Sequence, residues 1–166
     1  MTRVADVMTR GVRALPPHES VLKAAQAMDE LDVGAIPVCE GSALVGIVTD
    51  RDIVRRGVAQ GCAAGDTALA AVMTRDAQWC FEDQPIDEVV HRMKTAQLRR
   101  MPVLDREQQL VGMLALGDIA TKVNDAIASD ALERISEPSV PDRSSQSAAA
   151  GPAGGGTGAN TPPRRR

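Results

Sequence analysis

The sequence VADVMTR at residues 4–10 returns as LAAVMTR at residues 69–75, a shift of 65 positions. The same shift relates IPV at residues 36–38 to MPV at residues 101–103. After one inserted residue, the tripeptide LVG also occurs in both copies. A repeat of this length is a complete folding unit, and two such units usually pack face to face around a pseudo-twofold axis. We therefore expect two related clefts between the copies.

Each copy has the residue pattern of strand, helix, strand, strand, helix, so the predicted fold class is α/β (α+β). Apolar residues at helical spacing predict helices that begin at Val21 and Ile86. Short apolar runs separated by turn residues predict hairpins with turns at residues 40–42 and 105–108. The remaining predicted elements are one-turn helices (4–8 and 69–73), first strands (12–15 and 77–81) and second helices (50–58 and 117–128).

The repeat divides the chain into a first unit at residues 1–62 and a second unit at residues 63–130. Residues 137–166 differ in composition, because they are rich in Gly, Ala, Ser and Pro and contain almost nothing large to bury. Such a segment cannot bury enough apolar surface to fold, so a disordered tail is predicted. The three arginines that close the tail suit a solubilising end.

Composition and charge exclude several classes of protein. No apolar run approaches the roughly 20 residues that a membrane helix needs, and the first residues do not resemble a signal peptide. The net charge of −3 argues against a general nucleic-acid surface. The three cysteines form no CxxC spacing, and their odd number suits a reducing compartment. We therefore expect a cytoplasmic protein with no membrane contact.

The segment that indicates chemistry is GIVTDRD at residues 46–52. A helix is predicted to begin after Thr49, and the free N–H groups of a helix start favour phosphate or carboxylate. The Thr49 hydroxyl can join them, while the Asp52 carboxylate can accept hydrogen bonds from a ribose diol. The same spacing is also close to a capping box, in which the two side chains bond to the helix start itself. Spacing alone does not choose between the two roles.

The motifs in their order resemble a tandem pair of cystathionine-β-synthase (CBS) domains, often called a Bateman module. The residues that carry the resemblance are VMT, IPV, RRMPV, LVGIVTDRDI and LVGMLALGDI, and they extend over residues 4–127. The resemblance implies a compact module that commonly dimerises and often binds AMP, ADP, ATP, S-adenosylmethionine or a dinucleotide such as NAD(H). It assigns phosphate to Thr49 and the ribose hydroxyls to Asp52. It further implies that Val12, Ala35, Ile36 and Pro37 line the base and that Arg100 reaches phosphate.

The second copy departs from this motif. GMLALGD at residues 112–118 keeps Asp118 but has Ala115 where the first copy has Thr49. A charge-assisted hydrogen bond contributes about 1.5–3 kcal/mol, so its loss would weaken the second cleft about tenfold or more. We expect one complete site around Thr49 and Asp52 and one partial site around Asp118, whose carboxylate could equally cap or solvate its own helix.

The short chain also looks similar to stand-alone CBS proteins of the hypoxic-response, or stress-response, type. The residues concerned are DVGAIPVCE at 32–40 and TDRDIVRRGVAQG at 49–61. We therefore predict a non-catalytic sensor that binds an adenosine-containing ligand and forms a homodimer. The alternative is a ligand-independent interaction scaffold. No closely spaced pair of His and Cys ligands and no nucleophile–base motif is present, so neither a metal site nor catalysis is expected.

Overall fold

The structure, a computed structural model, describes residues 1–122. The predicted tail at 137–166 and the end of the last predicted helix therefore lie outside the described residues. The first copy contains α1 (Val4–Val7), β1 (Thr9–Arg10), α2 (Val21–Leu31), β2 (Ala35–Glu40), β3 (Ala43–Thr49) and α3 (Asp50–Asp52). The second copy contains α4 (Leu69–Val72), β4 (Cys80–Phe81), α5 (Ile86–Thr95), β5 (Arg100–Leu104), β6 (Leu110–Ala115) and α6 (Leu116–Lys122). The mixed α/β fold class is confirmed.

The two long helices form where the apolar spacing predicts them. Helix α2 is capped by Ser20, whose side chain accepts a hydrogen bond from the backbone N–H of Lys23, and it ends at Asp32 in the left-handed conformation. Helix α5 follows Pro85. Each helix buries one face, formed by Val21, Ala24, Ala27 and Met28 in α2 and by Ile86, Val89, Val90 and Met93 in α5.

The second helix of the first copy is less regular than predicted. Three α-helical residues (Asp50–Asp52) continue as a π-helical segment (Ile53–Gly57) and then as a 3-10 turn (Val58–Gln60). Gly61 ends this run with a φ of 72°, a left-handed value that suits glycine. Gly57 lies buried inside the run.

The sheets show the same order in both copies, although one is more complete. In the second copy the strand order is β1-β6-β5-β4, with β4 parallel to β5. In the first copy β2 and β3 pair alone, and single bridges from Thr74 to Ile47 and from Leu15 to Val38 continue the sheet on either side. The prediction of a strand over residues 12–15 was therefore wrong, since only Leu15 pairs. Pro16 and Pro17 follow it and have no N–H to extend the ladder. The strand predicted at 77–81 is shortened to β4.

Within residues 1–122 the buried hydrophobic residues form two clusters, and each one-turn helix packs in the cluster of the opposite repeat. Val4, Val7 and Met8, at the start of the first copy, pack in the cluster formed by β4, α5, β5 and β6 of the second copy. Leu69, Val72 and Met73 pack in turn with α2, β2 and β3 of the first copy. We call α1 and α4 the lead helices. Each lead helix therefore belongs to one repeat in sequence and to the other repeat in space.

A glycine in each hairpin allows this crossing. A Cβ atom on Gly46 would lie 2.7 Å from the backbone oxygen of Thr74, and one on Gly112 would lie 2.6 Å from that of Thr9. Real Cβ atoms essentially never approach backbone oxygen so closely. The hairpin of each copy thus accepts the residues that follow the opposite lead helix only because it has no side chain there.

Candidate functional site

A cleft of about 1220 Å³ lies between the two repeats. Residues of β3 and α3 form one side, and residues of β5, β6 and α6 form the other. The charged residues that line it are Asp50, Arg51, Asp52, Asp76, Arg99, Arg100 and Asp118. The motif residues of both copies therefore face one continuous space, where the repeat predicted two related clefts.

Five of the eight predicted site residues line this cleft: Ala35, Thr49, Asp52, Arg100 and Asp118. The structure does not bring Val12, Ile36 or Pro37 to it. Ile36 is 1% exposed and packs in the core of the first copy. Pro37 is also buried and pairs with Ile47 within the hairpin.

The position of Val12 follows from the crossing of the lead helices. Its counterpart in the second copy is Ala77, which lines the cleft with Thr74 and Asp76 on the side of Thr49. The segment that completes the Thr49 side therefore comes from the second copy, whereas sequence reasoning took it from the first. The repeated MTR motif was the available signal, but a linear repeat does not reveal an exchange in space.

The capping box that the spacing predicted is formed. The Thr49 hydroxyl accepts a hydrogen bond from the Asp52 backbone N–H at 3.1 Å, and an Asp52 carboxylate oxygen accepts one from the Thr49 N–H at 3.1 Å. The other N–H groups of this helix start also have protein partners. The Asp50 N–H donates to the Gly34 carbonyl at 3.0 Å, and the Arg51 N–H donates to the Asp50 carboxylate at 2.7 Å. A phosphate would have to compete with these partners.

Asp52 has two further neighbours that the sequence did not indicate. The Thr74 hydroxyl donates to Asp52 Oδ2 at 3.4 Å, and Arg56 Nη1 lies 3.8 Å from Asp52 Oδ1. The side chain of Asp52 is 15% exposed. Its carboxylate is therefore held in one orientation by groups from both repeats, with an edge still open to the cleft.

The second copy reproduces only part of this arrangement. Asp118 Oδ2 accepts a hydrogen bond from the Thr9 hydroxyl at 3.3 Å, as Asp52 does from Thr74. Ala115 and Leu116 stand in place of Thr49 and Asp50, so a hydroxyl and a carboxylate are missing from this side. The Asp118 carboxylate is therefore hydrogen-bonded to a residue of the first copy.

The charges of the cleft are unevenly distributed. Asp50, Asp52 and Asp76 outnumber Arg51 on the Thr49 side, while Arg99 and Arg100 outnumber Asp118 on the opposite side. The two sides approach each other at Gly34, where a Cβ atom would meet Asp50 Oδ2 at 3.0 Å and Arg100 Nη1 at 3.3 Å. An anionic group in the cleft is therefore favoured beside the arginines and disfavoured beside the aspartates.

The cysteines show little sign of chemical activation. Burial raises the pKa of the Cys39 thiol, and it raises the pKa of the Cys80 thiol to about 12 despite the opposing effect of Arg92. A raised pKa keeps a thiol protonated and unreactive at neutral pH. Cys62 is exposed. Within residues 1–122 no three His, Cys, Asp or Glu side chains are grouped to hold a metal ion, and no helix is both long and apolar enough to cross a membrane.

The duplicated fold and its shared cleft define a CBS-domain pair. The CBS domain profile matches residues 4–59 and 69–125, and the chain belongs to this family. The chain is 40% identical to hypoxic response protein 1 of Mycobacterium tuberculosis over 122 residues, which cover 72% of this chain and 84% of that protein. The resemblance to hypoxic-response CBS proteins that the sequence indicated is thereby confirmed.

Two solved structures give the fold a direct comparison. The crystal structure of Hypoxic Response Protein I with two coordinated zinc ions has a TM-score of 0.68 and 34% identity, covering 74% of this chain and 99% of that one. The CBS domain pair of protein MJ0100, in complex with 5'-methylthioadenosine and S-adenosyl-L-methionine, has a TM-score of 0.66 and 26% identity, covering 73% and 94%. CBS domains are in general regulatory and not catalytic modules, and some pairs bind adenosine ligands.

Proposed function

We propose that the protein is a non-catalytic regulatory sensor that binds an adenosine-containing ligand in the cleft between its two repeats. The observation that carries this proposal is that Thr49 and Asp52 of the first repeat share one cleft with Arg100 of the second. A ribose acceptor, a hydroxyl donor and a guanidinium are the groups that a nucleotide requires. The adenosine ligands bound by the CBS pair of MJ0100 support the same class of ligand.

The charge distribution suggests how such a ligand lies. Its ribose hydroxyls donate to Asp52, whose Oδ1 faces Arg56 at 3.8 Å, beyond hydrogen-bond distance, and so retains acceptor capacity. Its phosphate or carboxylate lies towards Arg99 and Arg100, because the aspartates of the Thr49 side repel it. Ala35 contributes apolar surface for the base. The Asp118 side lacks the hydroxyl of Thr49, so it forms the weaker site.

Binding acts as a signal only if the ligand binds one conformation better than another. The cleft is lined by both repeats, so an occupant bridges them and favours one relative placement. We expect a second copy of the chain to recognise this relative placement of the repeats. Val54 and Val58 lie one helical turn apart and are 57% and 66% exposed, which suits an apolar contact within a homodimer.

A thermal-shift panel tests the proposal. The purified protein is heated with AMP, ADP, ATP, S-adenosylmethionine or NADH, and one of these should raise the unfolding temperature clearly. At a hundredfold excess over Kd a ligand adds about 2.7 kcal/mol of stability. Guanosine nucleotides of the same charge serve as the control. Absence of any adenosine-dependent shift at millimolar ligand would contradict the proposal.

A second candidate is a ligand-independent interaction scaffold, and one observation favours it. The backbone N–H groups of Thr49, Asp50, Arg51 and Asp52 all have protein partners, so this helix start is complete without a ligand. The two candidates differ in their partner binding. If the scaffold is correct, a partner captured by the wild-type protein is retained equally by Asp52→Asn and is unaffected by adenosine nucleotides.

A further inference from the structure

Two basic side chains occupy equivalent positions in the two repeats and make equivalent contacts across them. Arg56 of the first repeat donates from Nη1 to the backbone oxygen of Val72, at the end of lead helix α4, at 3.1 Å. Lys122 of the second repeat donates from Nζ to the backbone oxygen of Val7, at the end of lead helix α1, at 2.9 Å. Val7 and Val72 are themselves equivalent residues of the repeat.

The lead helices need such partners because each is a single turn. The last carbonyls of a helix have no partner within it, and a basic side chain at this end also interacts favourably with the helix dipole. The other end of each lead helix is already held by the opposite repeat. The Val4 N–H donates to the Gln84 oxygen at 3.0 Å, and the equivalent Leu69 N–H donates to the Glu19 oxygen at 2.8 Å. With the contacts of Arg56 and Lys122, each lead helix is bonded to the opposite repeat at both its first and its last residue.

On the Arg56 side the contacts continue to the candidate site. The same Nη1 atom also donates to the Met73 oxygen at 3.0 Å and lies 3.4 Å from the Thr74 hydroxyl oxygen. Thr74 in turn donates to Asp52 Oδ2, and Arg56 Nη1 faces Asp52 Oδ1 at 3.8 Å. The guanidinium thus joins the end of lead helix α4 to the carboxylate assigned to the ribose.

We infer that Arg56 and Lys122 are positioning residues that fasten each lead helix to the opposite repeat, and that Arg56, together with Thr74, also orients Asp52 for its ligand. The first part of this inference, that the two residues fasten the lead helices, rests only on the observed contacts. The orientation of Asp52 rests on the proposed function. Arg56 does not touch the ligand in this account, since it acts through the lead helix and the Asp52 carboxylate.

Amide hydrogen exchange tests the fastening without any ligand. The Met73 N–H, bonded to the Leu69 oxygen, reports on α4, and the Met8 N–H, bonded to the Val4 oxygen, reports on α1. Arg56→Gln should speed exchange at Met73 about tenfold and leave Met8 unchanged, and Lys122→Gln should do the reverse. Unchanged exchange in both variants, or equal acceleration at both amides in each variant, would overturn the fastening.

Arg56→Lys separates the two parts of the inference. It gives the first repeat the residue type that the second repeat has, so it should keep the contact with the Val72 oxygen and the protection of Met73. It should lose the contact with Thr74 and Asp52 and weaken binding of the adenosine ligand about tenfold, as Arg56→Gln does. Wild-type affinity in Arg56→Lys and Arg56→Gln would overturn the orienting role. If no adenosine nucleotide binds the wild-type protein, the proposed function fails, and the exchange results still decide the fastening.

Discussion

Asp52 is the residue on which the account of the site depends, because it combines a structural role with the proposed binding role. It closes the capping box with Thr49, accepts a hydrogen bond from Thr74 and faces Arg56. These contacts hold its carboxylate in place before any ligand arrives, which reduces the entropy lost on binding. The sequence motif singled out Asp52 and Thr49 and did not point to Thr74 or Arg56. Arg56 lies four residues after Asp52 in the same helical run, so this contact follows from helical spacing. The contact of Thr74 with Asp52 exists only because the lead segment of the second repeat packs on the first.

The capping contribution of Thr49 is measurable by itself. Thr49→Ala should lower the free energy of unfolding by about 1 kcal/mol, because the Asp52 N–H loses its acceptor. Thr49→Ser should retain most of that stability. Ser20→Ala is the matched control, since Ser20 caps α2 and does not line the cleft. Urea unfolding measures all three variants. Equal ligand affinity in Thr49→Ala and Ser20→Ala would show that Thr49 only caps its helix.

The buried thiol of Cys80 makes stability depend on alkaline pH. Its pKa is raised from 9.0 to about 12 by burial, so in the folded protein it stays protonated where the unfolded chain releases its proton. The contribution of this thiol to the free energy of unfolding is therefore fully present below about pH 9. It is lost as the pH rises towards 12, by up to about 1.4 kcal/mol per pH unit. Urea unfolding of wild type and Cys80→Ala at about pH 8 and pH 10.5 measures the difference. An identical pH dependence in the two proteins would contradict this assignment.

At the level of elements, the long amphipathic helices and the hairpins followed from the sequence because each carries its own periodic pattern. The short first strands did not follow, because two or three apolar residues beside Gly or Pro fit a strand and a loop equally well. The course of α1 and α4 could not be predicted either. VADV and LAAV present similar apolar faces, so hydrophobicity alone does not decide which repeat either one joins. The close approach at Gly46 and Gly112 permits the crossing, but both hairpins carry this glycine, so it does not select one repeat over the other.

This close approach leads to a prediction about the hairpin glycines. Gly46→Ala should destabilise the protein by about 1–3 kcal/mol, because its Cβ would collide with the backbone oxygen of Thr74, which has no freedom to rotate away. Gly112→Ala should behave in the same way against Thr9. Gly65→Ala is the control, since a Cβ there meets nothing within 4 Å. Thermal or urea unfolding compares the three. A Gly46→Ala protein as stable as Gly65→Ala would mean that the lead segment does not pack there.

For the whole molecule, the duplication places two related half-sites on one cleft and then makes them unequal. The sequence predicts the inequality from a difference of residues, since Ala115 stands in place of Thr49. The structure adds a difference of net charge, because aspartates are in excess on one side of the cleft and arginines on the other. Of the predicted base-lining residues that do not line the cleft, Ile36 and Pro37 are buried within their own repeat, whereas Val12 is explained at the scale of the whole molecule. Because the repeats exchange their lead segments, each side of the cleft contains residues of both copies. Comparing the two copies in sequence cannot show this.

The most direct measurement of the central claim is a calorimetric titration of wild type, Asp52→Asn and Asp118→Asn with the adenosine nucleotide that gives the largest thermal shift. Asparagine keeps the size of the side chain and an acceptor oxygen, and unfolding without ligand checks that each variant is folded. The account predicts that Asp52→Asn weakens binding about tenfold or more, because a charged acceptor is lost, while Asp118→Asn binds nearly as the wild type does. Wild-type affinity in Asp52→Asn, or a larger loss in Asp118→Asn, would contradict it.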